Sequence, residues 1–236
     1  MMNIQIKNLT AKYEDKIIFE NFNCNFDDGK VTVLLGGSGT GKTTLLSVIA
    51  NTIKYGGEIQ GVGEVSYVFQ SERLIPTISI YKNLDLVIKR FYKDKKEREA
   101  QIVKILNDLE IEECKNQLPT EISGGQAKRV SLARAFLYPS QTLLMDEPFS
   151  SLDIALKSRI CKVFDKLESE SPKTVLYVTH SIDEALLLGD RILVIDGRPA
   201  QIVADVRIET PRNERDISDE NLGEVRKQLL SALVKS

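Results

Sequence analysis

Residues 31–51, VTVLLGGSGTGKTTLLSVIAN, restrict what this chain can fold into more than any other stretch. An apolar run, Val31-Thr32-Val33-Leu34-Leu35, enters a turn, Gly36-Gly37-Ser38-Gly39-Thr40-Gly41-Lys42-Thr43-Thr44. Leu45, Leu46, Val48 and Ile49 then follow at helical spacing. The order is strand, glycine loop, helix, and the loop fits G-x-x-x-x-G-K-[ST]. Glycines let the backbone wrap closely enough to aim several N–H groups at phosphates. The helix brings its positive end to the same place. Lys42 adds a mobile charge for the β- and γ-phosphates, and the Thr43 hydroxyl can ligate Mg²⁺. A glycine-rich turn without nucleotide is the alternative. The Lys-Thr pair and the correct flanks argue against it, so the stretch predicts a nucleoside triphosphate site.

The rest of the chain must say what the nucleotide is used for. Composition is that of an ordinary soluble globular protein, 42% hydrophobic and 28% charged over 236 residues. A net charge of −2 supplies no basic field to recruit nucleic acid, and no nucleic-acid partner is expected. Cys24, Cys114 and Cys161 are far apart and form no C-x-x-C pair, against a zinc knuckle or redox motif and in keeping with a reducing cytoplasm. The N-terminus lacks the apolar region of a signal peptide. No stretch reaches the roughly 18 apolar residues that span a bilayer, so a membrane role would run through a partner.

Taken in order, the pattern predicts an α/β fold. Ile4, Ile6 and Leu9, then Ile17-Ile18-Phe19, then Phe22, Cys24 and Phe26 alternating with Asn21, Asn23 and Asn25 read as short antiparallel strands. Residues 51–63 are turn-rich, and 64–69 form a strand ending at Gln70. Residues 71–137 change character, with helical patterns over 81–91 and 93–109, where Ile102, Ile105, Leu106 and Leu109 share one face. Lys93, Lys95, Lys96 and Arg98 are read as a solvated helix face. A helix over 127–138 leads to the strand Thr142-Leu143-Leu144-Met145, a helix over 154–168 to the strand 174–179. Ser181-Ile182-Asp183-Glu184 resembles a capping box opening another helix. A strand over 191–196 and a turn at 197–199 follow. Residues 209–221 are a charged loop, and Leu222, Val225, Leu229 and Leu233 predict a terminal helix that packs on its own domain. Strands alternating with helices imply a mainly parallel sheet. The expected organisation is one domain over 1–236. Segments 1–70 and 138–205 form the core, 71–137 an inserted helical subdomain, and 206–236 a tail with a short helix.

The residues that decide the chemistry sit at strand ends. Asp146 and Glu147 close an apolar strand and point to different sides of it, so one can hold Mg²⁺ while the other addresses a nucleophile. A surface Asp-Glu pair is the alternative, but such pairs rarely cap an apolar run. Ser123-Gly124-Gly125-Gln126 precedes a helix with small residues and exposed amides, an anion receptor without a lysine. It is either an ordinary helix entry or the completion of a site begun elsewhere. His180, the only histidine, ends an apolar strand. A lone histidine there is usually structural. Gln70 and Asp146 also end strands, however, and all three would gather at the carboxyl edge of one parallel sheet.

The set GGSGTGKTT, Gln70, ISGGQ, LLMDEP, SSLD and TH, in this order, resembles the ATP-binding cassette ATPases, the nucleotide-binding subunits of ABC transporters. The likeness covers roughly residues 4–202. It implies that Gln70 is the Q-loop glutamine, Ser123 to Gln126 the signature motif, Glu147 the general base and Ser150 to Asp153 the D-loop. His180 would be the switch histidine near the γ-phosphate. Tyr13 matches the aromatic that stacks on adenine, with a core tyrosine as the alternative. Mg²⁺ would be held by Thr43, Gln70 and Asp146. Two positions depart from the family pattern. Ile122 stands where leucine is usual, and Ser181 where many importers have aspartate. The chain ends soon after the matching region, so no appended regulatory domain is expected.

The family implies a head-to-tail dimer, the phosphate loop of one copy and Ser123-Gly124-Gly125 of the other enclosing one ATP. Implied partners are transmembrane permease subunits and an extracytoplasmic solute-binding protein, with the subunit at the cytoplasmic face of the membrane. The surface over 71–81 would dock a permease helix. Within the importers, VTHSIDEALLLGDRILVI is similar to the nitrate, sulfonate and taurine group. Rival readings are a P-loop kinase or GTPase, a cassette ATPase of DNA repair or translation, an exporter subunit, and a catalytically dead regulator. SGGQ and the missing N-K-x-D motif oppose the first. The lack of tandem cassettes and zinc cysteines opposes the second, and intact Lys42, Asp146, Glu147 and His180 oppose the last.

Overall fold

The structure, a computed structural model, describes residues 3–14, 16–149, 154–215 and 220–234. The expected D-loop at 150–153 lies outside the described residues. The elements in chain order are β1 (Ile4–Tyr13), β2 (Lys16–Phe26), β3 (Val31–Leu35), α1 (Lys42–Ile49), β4 (Gly56–Gln60), β5 (Val65–Val68), α2 (Ile80–Ile88), α3 (Lys95–Asp108), α4 (Gly124–Leu137), β6 (Thr142–Asp146), α5 (Ile154–Glu170), β7 (Thr174–Thr179), α6 (Ile182–Leu188), β8 (Arg191–Asp196), β9 (Gln201–Arg207) and α7 (Glu220–Val234). They build the α/β architecture expected, a mainly parallel sheet beside an antiparallel one.

The larger sheet runs β5-β6-β7-β3-β8-β9, parallel except for β9. Every residue of β3, β6 and β7 is buried, as continuous apolar runs in a sheet covered on both faces require. The pleat divides them. Val31, Val33 and Leu35 with Met145, Tyr177 and Val194 face one core, shared with α2 to α7. Leu34, Leu144, Leu176, Val178 and Leu193 face the other, where they meet Leu45, Leu46, Val48 and Ile49 of α1. Ile4, Ile6, Leu9, Phe19 and Phe26 of the small sheet β2-β1-β4 close that second core. The helix behind the glycine loop is thus wedged between two sheets.

Two strands were not anticipated. β4 falls in the turn-rich stretch because its residues Gly56-Gly57-Glu58-Ile59-Gln60 carry one apolar side chain, on an edge of the small sheet. Gly57 has φ +97° and lies so near β1 that a Cβ would meet the Asn8 and Lys7 carbonyl oxygens at 2.5 Å. β9 is half exposed, and its pattern of Ile202, Ala204 and Val206 is weak. Residues 16–26, read as two pieces, form one strand. Asn21 with φ 52° lies between the register pairs Ala11↔Phe19 and Leu9↔Phe22, where the pairing shifts. An extra residue there breaks the period of two.

The helical insertion lies between β5 and β6. Ile102, Ile105, Leu106 and Leu109 are buried together as their spacing predicts. Arg98 departs from the solvated reading, for its guanidinium bonds Asp85 at 2.6 Å and the Tyr92 carbonyl at 2.8 Å. The charged stretch after β9 also turns inward. Arg215, with a side chain 1% exposed, donates to the carbonyls of Leu186 and Gly189 at the end of α6, at 2.9 and 2.7 Å. Arg212 pairs with Glu168, Asp165 and Asp190. Leu222 and Leu229 of α7 are buried in the same core, so the terminal helix packs on its own chain.

Lys173, 2% exposed, ties the start of β7 to the end of α4 by donating to the Tyr138 and Ser140 carbonyls at 3.2 and 2.8 Å. Burial pushes its ammonium down to about 8. Between that value and the ordinary lysine value near 10.4 the unfolded chain binds the extra proton, so this group makes stability rise with pH across that window. In Lys173→Met the rise should be shallower by up to about 1.4 kcal/mol per pH unit, read from urea midpoints between about pH 8 and 10.

Candidate active site

Parallel register gathers the functional groups. Val68 pairs with Met145, Asp146 with Val178, and Leu35 with both Thr179 and Val194. The carboxyl ends of β5, β6, β7, β3 and β8 therefore share one edge. Gln70, Asp146, Glu147, His180 and Gly36 all lie at or just past those ends, the placement that ligand sites in open α/β sheets take.

The glycine loop is built on close approach. A Cβ on Gly36 would stand 2.2 Å from the carbonyl oxygen of Ile195 on β8, a backbone contact that cannot give way. Gly41 has φ +93°, and a Cβ there would strike Ile18 at 2.5 Å. Gly39 has φ +78° beside the Arg198 guanidinium. Gly37, Ser38 and Gly39 are exposed. Gly41 occupies the N-cap of α1 without a capping side chain, so the first amides of that helix face the loop with no competing acceptor. Thr40 Oγ1 donates to the Gly37 carbonyl at 3.0 Å and braces the turn. Lys42, 6% exposed, lies within the loop and donates to the carbonyls of Gly36 and Gly37 at 2.9 and 2.5 Å. Burial holds its ammonium below the usual lysine range, while Glu147 and Asp146 pull it back up.

The adjacent carboxylates meet different partners, although Glu147 lies past the end of β6 and strand alternation does not reach it. Asp146, 7% exposed, accepts from Thr43 Oγ1 at 3.1 Å. Burial raises its carboxyl above the ordinary range, Thr43 and Lys42 oppose the rise, and Glu147 adds to it. Glu147 leaves the strand with φ +45°, an uncommon region for a residue with a side chain, and its amide donates to the Val178 carbonyl at 3.0 Å. Its carboxylate Oε1 stands 3.3 Å from His180 Nδ1. His180 is 61% exposed, unlike a core histidine.

Other expected site residues are placed as follows. Tyr13 is 60% exposed, which removes the core alternative. It lies on the hairpin whose Ile18 and Phe19 border Gly41. Thr44 is half-buried on the first turn of α1. Ser123 caps α4 and forms a capping box with Gln126, Gln126 N to Ser123 Oγ at 3.2 Å and Ser123 N to Gln126 Oε1 at 2.9 Å. That box uses neither the Gly124 nor the Gly125 amide, and a Cβ on Gly124 would meet open space. The Gln126 side chain also donates from Nε2 to Glu113 Oε1 at 3.2 Å. Gln70 is exposed, and its carbonyl accepts from Lys128 Nζ.

Two contributors were missed in the sequence. Lys128, 2% exposed, joins α4 to Gln70 and Glu72, and Arg134 on the same helix donates to the Glu72 and Arg73 carbonyls at 2.9 and 2.7 Å. A buried lysine shortly after SGGQ has no signature of its own. The second is Glu184. Ser181 does cap α6, accepting from the Glu184 amide at 3.4 Å, but the box does not close. The Ser181 amide goes to Thr179 Oγ1 instead, and the Glu184 carboxylate turns inward to β7 and α5.

The donors around this edge describe a site for a triphosphate: a glycine loop with a buried lysine, a hydroxyl beside a carboxylate, and a second carboxylate beside a histidine. Family comparison agrees. Residues 19–150, more than half of the chain, match the model of the ABC transporter family. The chain belongs to that family, as one of its ATP-binding cassette ATPases. It is 32% identical to an aliphatic sulfonates import ATP-binding protein, SsuB 1 of Xanthomonas axonopodis pv. citri, over 98% of this chain and 96% of the relative. It is 36% identical to the Fe(3+) ions import ATP-binding protein FbpC of Fusobacterium nucleatum, over 83% of this chain and 56% of that longer relative. The fold matches the dimeric structure of the bacterial ABC transporter cassette MJ0796 with a TM-score of 0.79, 28% identity, and coverage of 88% of this chain and 100% of the other. A post-hydrolysis dimer of that cassette, bound to ADP and Pi, matches with a TM-score of 0.77, 28% identity and the same coverage of both chains.

Gly36→Ala tests the loop. With no room beside Ile195, the variant should bind ATP at least about tenfold more weakly while remaining folded, as nucleotide titration and circular dichroism would report.

Proposed function

We propose that this chain is the ATP-hydrolysing subunit of an importer and works as a head-to-tail pair of copies. In this reading Gly36 to Thr44 of one copy and Ser123 to Gln126 of the other enclose each ATP. The observation that carries it is the pairing at one sheet edge of Thr43 with Asp146 and of Glu147 with His180.

The chain's residues divide the work. Amides of the loop and of the α1 N-terminus bind the phosphates, and Lys42 turns from the loop carbonyls to the β- and γ-phosphates. Tyr13 stacks on the base. Thr43, Asp146 and the Gln70 amide would hold Mg²⁺. The hydroxyl and carboxylate already meet at 3.1 Å, and the donors are all oxygen, as a hard cation requires. Bound there, Mg²⁺ supplies charge neutralisation at the β- and γ-phosphates. Glu147, beside His180, orients or deprotonates the attacking water. His180 stabilises charge on the γ-phosphoryl group, and the Ser123-Gly124-Gly125 amides of the partner complete the cage without a lysine.

In this reading the work is delivered to separate permease subunits; among the described residues no helix is long and apolar enough to cross a membrane. The 71–81 surface docks them at the cytoplasmic face. An extracytoplasmic solute-binding protein belongs to the same system. Relatives named for aliphatic sulfonates and for Fe(3+) ions resemble the chain to similar degrees, which supports a solute choice made outside the ATPase.

Glu147→Gln should lower turnover by about a hundredfold or more while retaining ATP binding and stabilising an ATP-dependent dimer in sedimentation velocity. Near-normal hydrolysis in that variant would refute the assignment of the base. Specific activity of the free subunit should rise with protein concentration; a flat dependence through the dimerisation range would refute the shared site.

A further inference from the structure

Behind Glu147 and His180 lies a buried carboxylate that none of the roles above employs. Glu184, on the first turn of α6, is 2% exposed. Its Oε2 accepts from the Tyr177 hydroxyl at 2.7 Å and the Thr179 hydroxyl at 2.8 Å, both on β7. Its Oε1 pairs with Lys157 Nζ of α5 at 2.7 Å. Thr179 Oγ1 in turn accepts the Ser181 amide at 3.0 Å. The residue before His180 is therefore held by Glu184 directly, and the residue after it through Thr179. One carboxylate joins the end of β7, the start of α6 and the helix that follows residues 150–153.

This arrangement is a poor device for stability alone. Taking a carboxylate out of water costs about what its partners return, and apolar packing would serve as well. What an apolar side chain could not do is fix two hydroxyls and an ammonium in one geometry. The group so fixed is the backbone that carries His180, whose own side chain is exposed and has little packing to direct it.

We propose that Glu184 is a positioning residue for His180. It sets the backbone on both sides of the histidine and, through Lys157, couples that backbone to α5. The proposal rests on the role given to His180 above. Its mechanism is geometric, since a misplacement of about 1 Å at a reacting centre can cost up to a hundredfold in rate.

The test is a double-mutant cycle on single-turnover ATP hydrolysis, with ATP affinity and thermal unfolding measured alongside. Glu184→Gln keeps the side-chain shape and removes the charge that gathers three donors. It should slow hydrolysis about tenfold and leave ATP affinity within about twofold, because the phosphate loop is untouched. In a His180→Ala background the same substitution should change the rate by less than about twofold, since the group it positions is gone. A folded Glu184→Gln protein with the wild-type rate, or an equal loss in both backgrounds, would overturn the proposal. Should Glu184→Gln fail to fold, Lys157→Met removes one arm at a side chain 25% exposed and leaves the two hydroxyl bonds. It should slow hydrolysis about threefold, again only when His180 is present, and an unchanged rate would overturn the proposal. If His180→Ala alone hydrolyses ATP at the wild-type rate, the role of the histidine falls and the proposal falls with it. A slow His180→Ala beside a normal Glu184→Gln defeats the proposal only.

Discussion

The in-step parallel pairing of β5, β6, β7, β3 and β8 is the constraint on which everything else rests. A parallel strand must return by a crossover, so each strand points the same way and each carboxyl end opens onto the same edge. Slipping one strand by a residue would exchange its two faces. Leu34 and Leu144 would leave the core they share with α1, and Asp146 would no longer meet Thr43. Burial of both faces thus fixes the register, and the register fixes the site. Backbone contact tightens this further, since Gly36 rests against the Ile195 carbonyl and leaves the loop one path out of β3.

Around that edge two kinds of order coexist. The phosphate loop is held by backbone and by glycine geometry, with Lys42 curled into its carbonyls. The second tier is held by buried charge. Arg215 closes the end of α6, Arg212 gathers Glu168, Asp165 and Asp190, and Glu184 gathers Tyr177, Thr179 and Lys157. Such clusters cost desolvation and return directionality, which suits the support of a site better than the filling of a core.

What could be read from the sequence follows the same division. The glycine loop, the apolar strands ending in Asp146 and His180, and the buried face of α3 were legible because short-range pattern and long-range role coincide there. Edge strands were not. β4 carries one apolar residue and two glycines, and its pairing with β1 is decided by close approach at Gly57. The single strand over 16–26 was hidden by a shift of register at Asn21. Buried charge was the least legible. Arg98, Lys128, Glu184, Arg212 and Arg215 look like surface residues in a linear sequence, and only the partners, many of them far off along the chain, show otherwise. Ser181 to Glu184 illustrates the limit, because a local capping pattern was present and a tertiary demand from β7 and α5 took the glutamate away.

The contact between α4 and the stretch after β5 has a mechanical side. The Nζ of Lys128 is bound to the carbonyl of Gln70 and lies 3.4 Å from Glu72, and Arg134, further along the same helix, grips the carbonyls of Glu72 and Arg73. The helix that begins at Ser123 therefore cannot pivot freely. It drags Gln70 with it, or it strands an ammonium that is 2% exposed without acceptors. α4 is geared to the glutamine at the sheet edge, so that a push applied at one of them is felt as a displacement at the other.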